Sequence, residues 1–295
     1  MKISLLTFGL MAIANLCCSQ SFFVKFGGGY SFPPAAYPLG SNYSDVDWME
    51  TDPETGNYVP HIIRSQEEVR GAYNTGAVSV VSMGYLFPSN MGVEVNMGYV
   101  FGRQYSLSDE HRDFLDGQLL NESISKTTWK SRNPYVAPSF ILTTGERVLR
   151  PYVSVGVVLA LPSVTRTYES RSDFEADAGT SIRKEKYSKG LTVGPRGAAG
   201  VDFALSEKIC VFTEVTFISM NFNPRERETI QYEVNGEDFL PTLSMTQKKT
   251  RFVKRADYDS RVHANSPEPS NEIREPSESF GMSSVAVHAG LKILL

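Results

Sequence analysis

Residues 283–295, at the end of the chain, alternate strictly between two kinds of side chain. Every second position is apolar, in the order Val285, Val287, Ala289, Leu291, Ile293 and Leu295. Successive side chains of a β-strand point to opposite faces, so this segment predicts a strand with one apolar and one small or polar face. Together with the export signal at the other end of the chain, such a final strand favours a β-barrel.

The first residues have the pattern of a cleavable signal peptide. Met1 and Lys2 precede an apolar run, residues 3–16, and a short segment that ends in Ser19. The run is too short to cross a bilayer as a helix. We expect cleavage after Ser19, so that residues 1–19 form the signal peptide and residues 20–295 form the mature β-barrel domain.

Composition excludes several classes of protein. A formal net charge of -4 gives no reason to expect nucleic-acid binding. Once the predicted signal peptide is removed, Cys210 is the only cysteine in the sequence, so no intramolecular disulfide can form. The sequence has no apolar run of eighteen residues, which excludes helical membrane spans.

The same period-two alternation recurs along the chain and predicts eight strands. The predicted strands are residues 22–32, 77–87, 91–101, 134–142, 151–161, 191–205, 209–222 and 280–295. Short connections near residues 88–90, 143–149 and 206–208 alternate with four long ones, near residues 33–74, 102–132, 162–189 and 223–279. Short periplasmic turns and long external loops are typical of outer-membrane barrels. The sequence therefore predicts an all-β fold: a closed, eight-stranded, antiparallel, up-and-down transmembrane β-barrel with four long extracellular loops.

The long loops contain local signals of their own. Asn235-Gly236 predicts a hairpin with a type I′ turn, and residues 52–57 predict a second hairpin. Residues 108–120 are interpreted as a short helix. If residues 223–279 supplied two membrane strands, the barrel would have ten.

The polar faces of the predicted strands favour a membrane barrel over a soluble, calycin-like one. They consist mostly of glycine, alanine and serine, which suit a narrow lumen better than a water-facing surface. Single charges interrupt them, at Lys25, Glu94, Arg196, Asp202, Glu214 and Lys292. We interpret these six as a structural interior charge network that fills the lumen and fixes the register; the alternative is an ion path.

At this level the chain resembles the small outer-membrane β-barrel proteins of the OmpA transmembrane-domain and OmpX type, in the broad outer membrane protein β-barrel domain group. The resemblance rests on Gly27-Gly28-Gly29-Tyr30, Gly200-Val201-Asp202-Phe203, Phe212-Thr213-Glu214-Val215 and Gly290-Leu291-Lys292. It implies a location in the cell outer membrane and insertion by the barrel-assembly machinery. Barrels of this group usually end in an aromatic residue, whereas this sequence ends in Leu295.

No residue pattern predicts a catalytic, cofactor-binding or metal site. His288 is interpreted as an interior histidine, since it shares the inward phase and no serine and acid can be assigned to it by spacing. The other histidines, at 61, 111 and 263, lie in separate loops without metal-ligand spacing. Acidic residues near 45–54 lack the spacing of an EF-hand calcium loop.

One loop is strongly basic. The cluster comprises Lys248, Lys249, Arg251, Lys254 and Arg255, and it is a candidate anion-binding patch for lipopolysaccharide phosphates or an anionic partner.

From these observations we expect a monomeric, non-enzymatic barrel without a cofactor. It would act as a passive anchor in outer-membrane lipid, with a structural or surface-binding role for its loops and an unidentified extracellular ligand. Two other functions remain open at this point, a membrane-embedded lipid-modifying hydrolase or acyltransferase and a narrow small-solute channel.

Overall fold

The computed structural model describes residues 21–35, 37–144, 148–173, 178–254 and 273–295. The predicted signal peptide lies outside the described residues. The strands are β1 (Ser21–Phe32), β2 (Tyr37–Thr51), β3 (Tyr58–Gly71), β4 (Gly76–Leu86), β5 (Met91–Gly102), β6 (Tyr105–Leu115), β7 (Gln118–Thr143), β8 (Leu149–Ala160), β9 (Ser163–Ser172), β10 (Gly179–Ser188), β11 (Thr192–Ala204), β12 (Ile209–Ile218), β13 (Asn221–Phe222), β14 (Glu226–Val234), β15 (Glu237–Asp238), β16 (Lys249–Val253), β17 (Ile273–Pro276), β18 (Phe280–Gly281) and β19 (Ser284–Leu294).

Eight of the described strands close into an antiparallel ring. The order around the ring is β1, β4, β5, β7, β8, β11, β12 and β19. β19 then pairs with β1 along ten residues, from Val285 opposite Phe32 to Leu294 opposite Phe23. The predicted closed eight-stranded barrel is confirmed, because the alternating apolar pattern marks each ring strand in the sequence.

The two ends of the ring differ in the length of their connections. At one end, here called the turn end, residues 87–90 join β4 to β5 and residues 205–208 join β11 to β12. At the other end, here called the loop end, the four long segments continue the sheet beyond the ring. The first residues of β1, near Ser21, and the last residues of β19, near Leu295, lie at the turn end.

The long segments form a wall of strands above the loop end, here called the cup. The order of strands along the wall is β3, β2, β6, the first half of β7, β9, β10, β14, β16 and β17. Most of these pairs are antiparallel, but β2 with β6 and β16 with β17 are parallel. The ten-stranded alternative is wrong, because β12 pairs directly with β19 and leaves no edge for insertion of β14 to β17.

The loop hairpins follow local turn chemistry. Asn235 and Gly236 have φ of 52° and 83°, as the predicted type I′ turn requires, and residues 52–57 join β2 to β3. The predicted helix at residues 108–120 is wrong, since this stretch forms the turn and facing parts of the β6–β7 hairpin. Asp116 and Gly117, with φ of 47° and 82°, make a second turn of the same kind.

Helix is sparse in the structure. The described part of the chain contains a 3-10 turn, Leu240–Thr242, and one short helix, α1 (Met245–Lys248), which has a capping box at Ser244. Within the described ranges, no helix is long and apolar enough to cross a membrane.

The outward face of the ring is an apolar belt. Side chains on this face are large and exposed, among them Phe26, Val81, Val95, Phe140, Val155, Val193, Val215 and Leu291. Along the described ring strands, the outward phase carries one charged residue, Arg132, at the loop end. Aromatic pairs lie toward both ends of the belt: Tyr85 with Phe87 at the turn end, and Tyr99 with Phe101 at the loop end. The outward phase of the ring is therefore predominantly apolar, with Ser79, Thr213 and Arg132 as polar exceptions.

Close backbone approach at the closing seam generates a prediction. A Cβ atom on Gly290 would lie 2.6 Å from the Cα atom of Gly27 and closer still to the carbonyl oxygen of Phe26. We expect Gly290→Ala to lower the free energy of unfolding by about 1–3 kcal/mol, because the β1–β19 pair must separate to accept the methyl group. Urea unfolding of the refolded chain in detergent micelles measures this change.

Gly197→Ala is the matched control. Gly197 also lies in a ring strand, but nothing lies within 4 Å of a Cβ atom placed there. Equal unfolding midpoints for the two variants would show that the seam does not need glycine.

Candidate functional site

All six charged residues assigned to the interior from sequence are buried within the ring. Lys25, Glu94, Arg196 and Glu214 form a single cluster near the middle of the lumen. Lys25 Nζ lies 3.2 Å from Glu94 Oε2, and Arg196 Nη2 lies 2.7 Å from Glu214 Oε1. A longer contact of 3.7 Å joins Arg196 to Glu94, so each cation faces both carboxylates. The cluster ties four different strands together across the lumen.

Lys292 and Asp202 form a second ion pair nearer the turn end. Aromatic rings cover the ammonium groups of both interior lysines. Lys292 Nζ lies 4.5 Å from the centre of the Phe23 ring, and Lys25 Nζ lies 4.2 Å from that of Tyr152. Such cation–π contacts stabilise cations that have been removed from water.

The interior charges balance. Three cations, Lys25, Arg196 and Lys292, face three anions, Glu94, Asp202 and Glu214. Isolated buried charges are costly, whereas paired ones offset much of the cost of leaving water. Tyr152 also donates its hydroxyl proton to Glu214, at 2.9 Å, and Arg196 donates to Ser154, at 3.0 Å. Most polar atoms of the cluster therefore find partners in the lumen, and the exceptions among the described residues are Glu94 Oε1 and Arg196 Nε.

A polar layer lies above the charged cluster, toward the loop end. Asn74, fully buried in the segment between β3 and β4, reaches across the lumen. Its side chain donates to Ser284 and accepts from Asn133, both at 2.9 Å, while its carbonyl oxygen accepts from Ser31 at 2.6 Å. The β3–β4 connection thus crosses the mouth of the barrel.

An aromatic layer closes the mouth above Asn74. Its members are Tyr73, Trp129, Tyr187, Phe222, Phe252 and Phe280. Phe280 lies near the centre of the layer, with ring centres 5.1 Å from Tyr73 and 5.2 Å from Tyr187. Burial raises the pKa of Tyr187 to about 12, so its hydroxyl stays protonated. No local sequence signal predicts this layer, because its side chains come from six separate loops and strands.

Arginine side chains surround Glu185 on the cup side of the aromatic layer. Arg166 Nη2 lies 2.6 Å and Arg183 Nε lies 3.1 Å from the two oxygens of Glu185. Arg227 lies farther from Glu185 and binds Glu275 at 2.9 Å. Burial opposes the charge on Arg227, but the carboxylates of Glu185 and Glu275 outweigh it and raise the pKa of the guanidinium. These ion pairs therefore join neighbouring strands of the cup to one another next to the aromatic layer.

The inner face of the cup is polar. β7 is unbroken from the ring into the cup, so Ser123 and Ser125 share the inward phase of Ser131 and Asn133. A cavity of about 400 Å³ lies against this face, and its lining residues are Asp109, His111, Ser123, Ser125, Tyr168, Ser170 and Ser172. Hydroxyl, carboxylate and imidazole groups therefore face the space inside the cup.

The candidate anion-binding patch is partly neutralised. Lys249 Nζ lies 3.3 Å from Glu226, and Lys248 Nζ donates to the carbonyl oxygen of Pro241. Burial would raise the pKa of Glu226, but hydrogen bonds from Lys189 and Lys249 outweigh it and hold that pKa below its usual value.

The remainder of the patch lines a groove. Arg251 and Lys254 contribute to a cavity of about 710 Å³ that Lys189 and Arg225 also line. Arg255 lies outside the described residues. The groove is basic and adjoins Leu191, which is exposed at the loop end of the apolar belt.

The histidines lie in different parts of the chain and have different surroundings. His288 is buried in the lumen, opposite Glu214 on β12, and does not reach the apolar outer face. His61 is exposed on β3, and His263 lies outside the described residues. His111, which the sequence left in an isolated loop, lies beside Asp47 and Asp113, because β2 pairs with β6. No local sequence signal predicts that pairing.

Comparison with known proteins finds no matching family and no matching curated protein. The resemblance to the OmpA and OmpX group therefore stays an expectation from the sequence. The closed eight-stranded barrel stands on the strand pairing alone.

The charge balance in the lumen generates a second prediction. Arg196→Met would leave two cations facing three anions, so Glu94 and Glu214 would lose one of the two cations that they share. We expect the free energy of unfolding to fall by about 3–5 kcal/mol, the usual result of breaking a buried pair from one side. Adding Glu214→Gln restores the balance and should recover part of the loss, as measured by urea unfolding.

Arg171→Met provides the control, since Arg171 pairs with Asp173 on the exposed surface of the cup. We expect this change to stay within about 0.5 kcal/mol. Similar losses for Arg171→Met and Arg196→Met would contradict the role given to the interior cluster.

Proposed function

We propose that the chain is an outer-membrane β-barrel whose sealed lumen makes it a passive anchor, and whose cup is the extracellular binding surface. The apolar belt carries the proposal. Its exposed side chains would be costly in water over so large a continuous surface, and lipid would solvate them. Ring strands of 10–13 residues, excluding the longer β7, have the length that a tilted strand needs to cross the hydrocarbon core.

The ends of the belt support the same orientation. Tyr and Phe side chains at both ends are placed where interfacial aromatic girdles occur in membrane barrels. Short connections at the turn end would face the periplasm, and the cup would face outward. Strand number and this asymmetry are also the features shared with small barrels of the OmpA and OmpX type.

The filled lumen favours an anchor over a channel. Between the two ends of the ring lie two ion-pair groups, the Asn74 layer and the aromatic layer. An eight-stranded ring encloses little more than its own side chains. A solute path would require these groups to separate, at the cost of exposing unpaired buried charge.

The location of His288 favours a binding role over lipid-modifying catalysis. An enzyme acting on membrane lipid would need a base and a nucleophile at the outer face or rim. His288 instead lies within the lumen beside the interior carboxylates, with no route to lipid. The cup, whose polar inner face surrounds a cavity, is the better candidate for recognition.

The basic groove is placed to contact lipid phosphates. Lys189, Arg225, Arg251 and Lys254 lie next to Leu191, where the apolar belt ends. In an outer membrane this height is occupied by charged headgroups, which cations at the edge of the belt would bind. The groove thus adds an electrostatic anchor to the apolar one.

Membrane insertion gives a third prediction. Val155, at the centre of β8, is 68% exposed on the belt. We expect Val155→Arg to lower the free energy of unfolding from liposomes by about 2–4 kcal/mol, since the guanidinium would face hydrocarbon. Ile62→Arg on β3, where the side chain is also exposed, should change it by less than about 0.5 kcal/mol. Equal effects would argue that the belt does not face lipid.

External proteolysis of intact cells tests the orientation. We expect protease to cut only in the cup segments, near residues 33–75, 103–131, 161–191 and 219–283. We also expect the unboiled and the boiled protein to migrate differently on a gel. Cuts in the short turns, or a soluble periplasmic species, would contradict the proposed anchor.

Planar bilayers containing the refolded chain should show no stepwise ionic current; regular current steps would support the channel.

A further inference from the structure

Two strands of the cup bring together acidic residues and a histidine that lie far apart in the sequence. β2 and β6 run parallel, and their register sets Asp45 opposite His111 and Asp47 opposite Asp113. Residues two apart in a strand share a face, and paired residues of neighbouring strands do too. The four side chains therefore form a two-by-two array on one face of the sheet.

That face is the inner face of the cup. His111 pairs with Ser123 of β7 on its other side, and Asp113 pairs with Asn121. Ser123 belongs to the inward phase of β7, and His111 itself lines the cavity of about 400 Å³. The array is thus open to molecules that enter the cup.

Three members of the array have the spacing of metal ligands. Asp47, His111 and Asp113 each offer one ligand atom, and the three atoms lie within 4.8 Å of one another. His111 Nε2 is 3.2 Å from Asp113 Oδ1. Two ligands about 2.1 Å from one zinc ion and about 90–109° apart are separated by about 3.0–3.4 Å. The separation between His111 Nε2 and Asp113 Oδ1 falls in that interval.

Asp47 adds a second observation at the same place. Its Oδ1 atom is shielded from solvent and has no hydrogen-bond partner in the part of the chain that the structure describes. A carboxylate oxygen removed from water without a partner is unfavourable. Trp48 and Phe114, on the opposite face, stack with ring centres 5.5 Å apart and hold the two strands in register.

The ligand types select the class of ion. We propose that Asp47, His111 and Asp113 bind a first-row transition-metal dication such as zinc. An imidazole nitrogen suits zinc and its neighbours, whereas calcium and magnesium prefer ligand sets made of oxygen alone. Two carboxylates neutralise the charge of a dication, and three protein ligands leave a coordination position open toward the cavity. Asp45 is not assigned as a ligand, because Arg64 binds it at 3.3 Å.

This site is independent of the membrane proposal, because it needs only the β2–β6 pairing. Neither strand belongs to the ring, so variants at the site leave barrel closure intact. A failure of the membrane tests would not remove the site, and a failure to bind metal would not affect the barrel.

Zinc titration of the full mature chain tests the inference. The chain is refolded in detergent, stripped of metal with a chelator and titrated with zinc chloride in a calorimeter. We expect one zinc ion per chain. His111→Gln, Asp47→Asn and Asp113→Asn should each weaken binding at least tenfold, since changes to outer-shell partners alone often cost this much. Circular dichroism verifies that each variant is folded.

His61→Gln is the matched control, because His61 is an exposed histidine in the hairpin that contains Asp47. We expect it to bind zinc as the unchanged chain does. Cobalt(II) in place of zinc gives a second readout, since its visible absorption reports direct nitrogen and oxygen coordination and should disappear in His111→Gln.

Three outcomes would overturn the inference: no zinc binding by the unchanged chain, equal zinc binding by all three ligand variants, or a loss of binding in His61→Gln as large as that in His111→Gln. Displacement of zinc by equimolar calcium would overturn the assignment to a transition metal.

Discussion

The width of an eight-stranded ring governs the interior of this protein. A ring of this size encloses about as much space as its own inward side chains occupy. Everything that points inward must therefore pack and, if charged, must find a partner there. Lys25, Arg196 and Lys292 meet Glu94, Asp202 and Glu214 in that space, and the small inward residues between them leave room for the long side chains. The same limit makes the Asn74 segment and the aromatic layer an effective closure of the mouth.

The closed ring in turn frees the loops to build a second structure. Because each ring strand is paired on both edges, the long segments cannot join the barrel and instead pair with one another above it. β7 links the two levels, since it runs without interruption from the ring into the cup. The inward phase of the lumen thereby continues as the inner face of the cup. In the proposed function, the lower level anchors and the upper level binds.

The interior network and the inner face of the cup differ in charge balance and in access to solvent. In the lumen, three cations meet three anions whose side chains are almost fully buried, with Tyr152 and Ser154 in support. In the cup, the carboxylates of Asp47 and Asp113 face one imidazole, and His111 lines a cavity. A balanced network closed off from solvent fixes a structure, whereas an excess of carboxylate around an accessible imidazole can bind a cation. This contrast is why we assign a structural role to the first group and a metal to the second.

Much of the ring could be predicted from the sequence, because a strand's alternation is a local property. The pattern in residues 283–295 identifies β19, and the same reasoning places Lys25 and Glu94 in the inward phase before any pairing is known. Asn235-Gly236 likewise predicts its own turn. The helix expected at residues 108–120 was wrong. Asp116-Gly117, within this stretch, carries the same kind of turn signal as Asn235-Gly236, and the hairpin motif outweighs the weak helical preference there.

Sequence by itself determined the strands of the ring, the phase of the interior charges and the tight turns, since each depends on residues close together in the chain. Only the tertiary structure decided that β2 pairs in parallel with β6, that Asn74 crosses the lumen, and that six aromatic rings meet above it. Those contacts join segments separated by tens to hundreds of residues. Their partners depend on which strand edges of the long segments meet above the closed ring, and no local pattern encodes that.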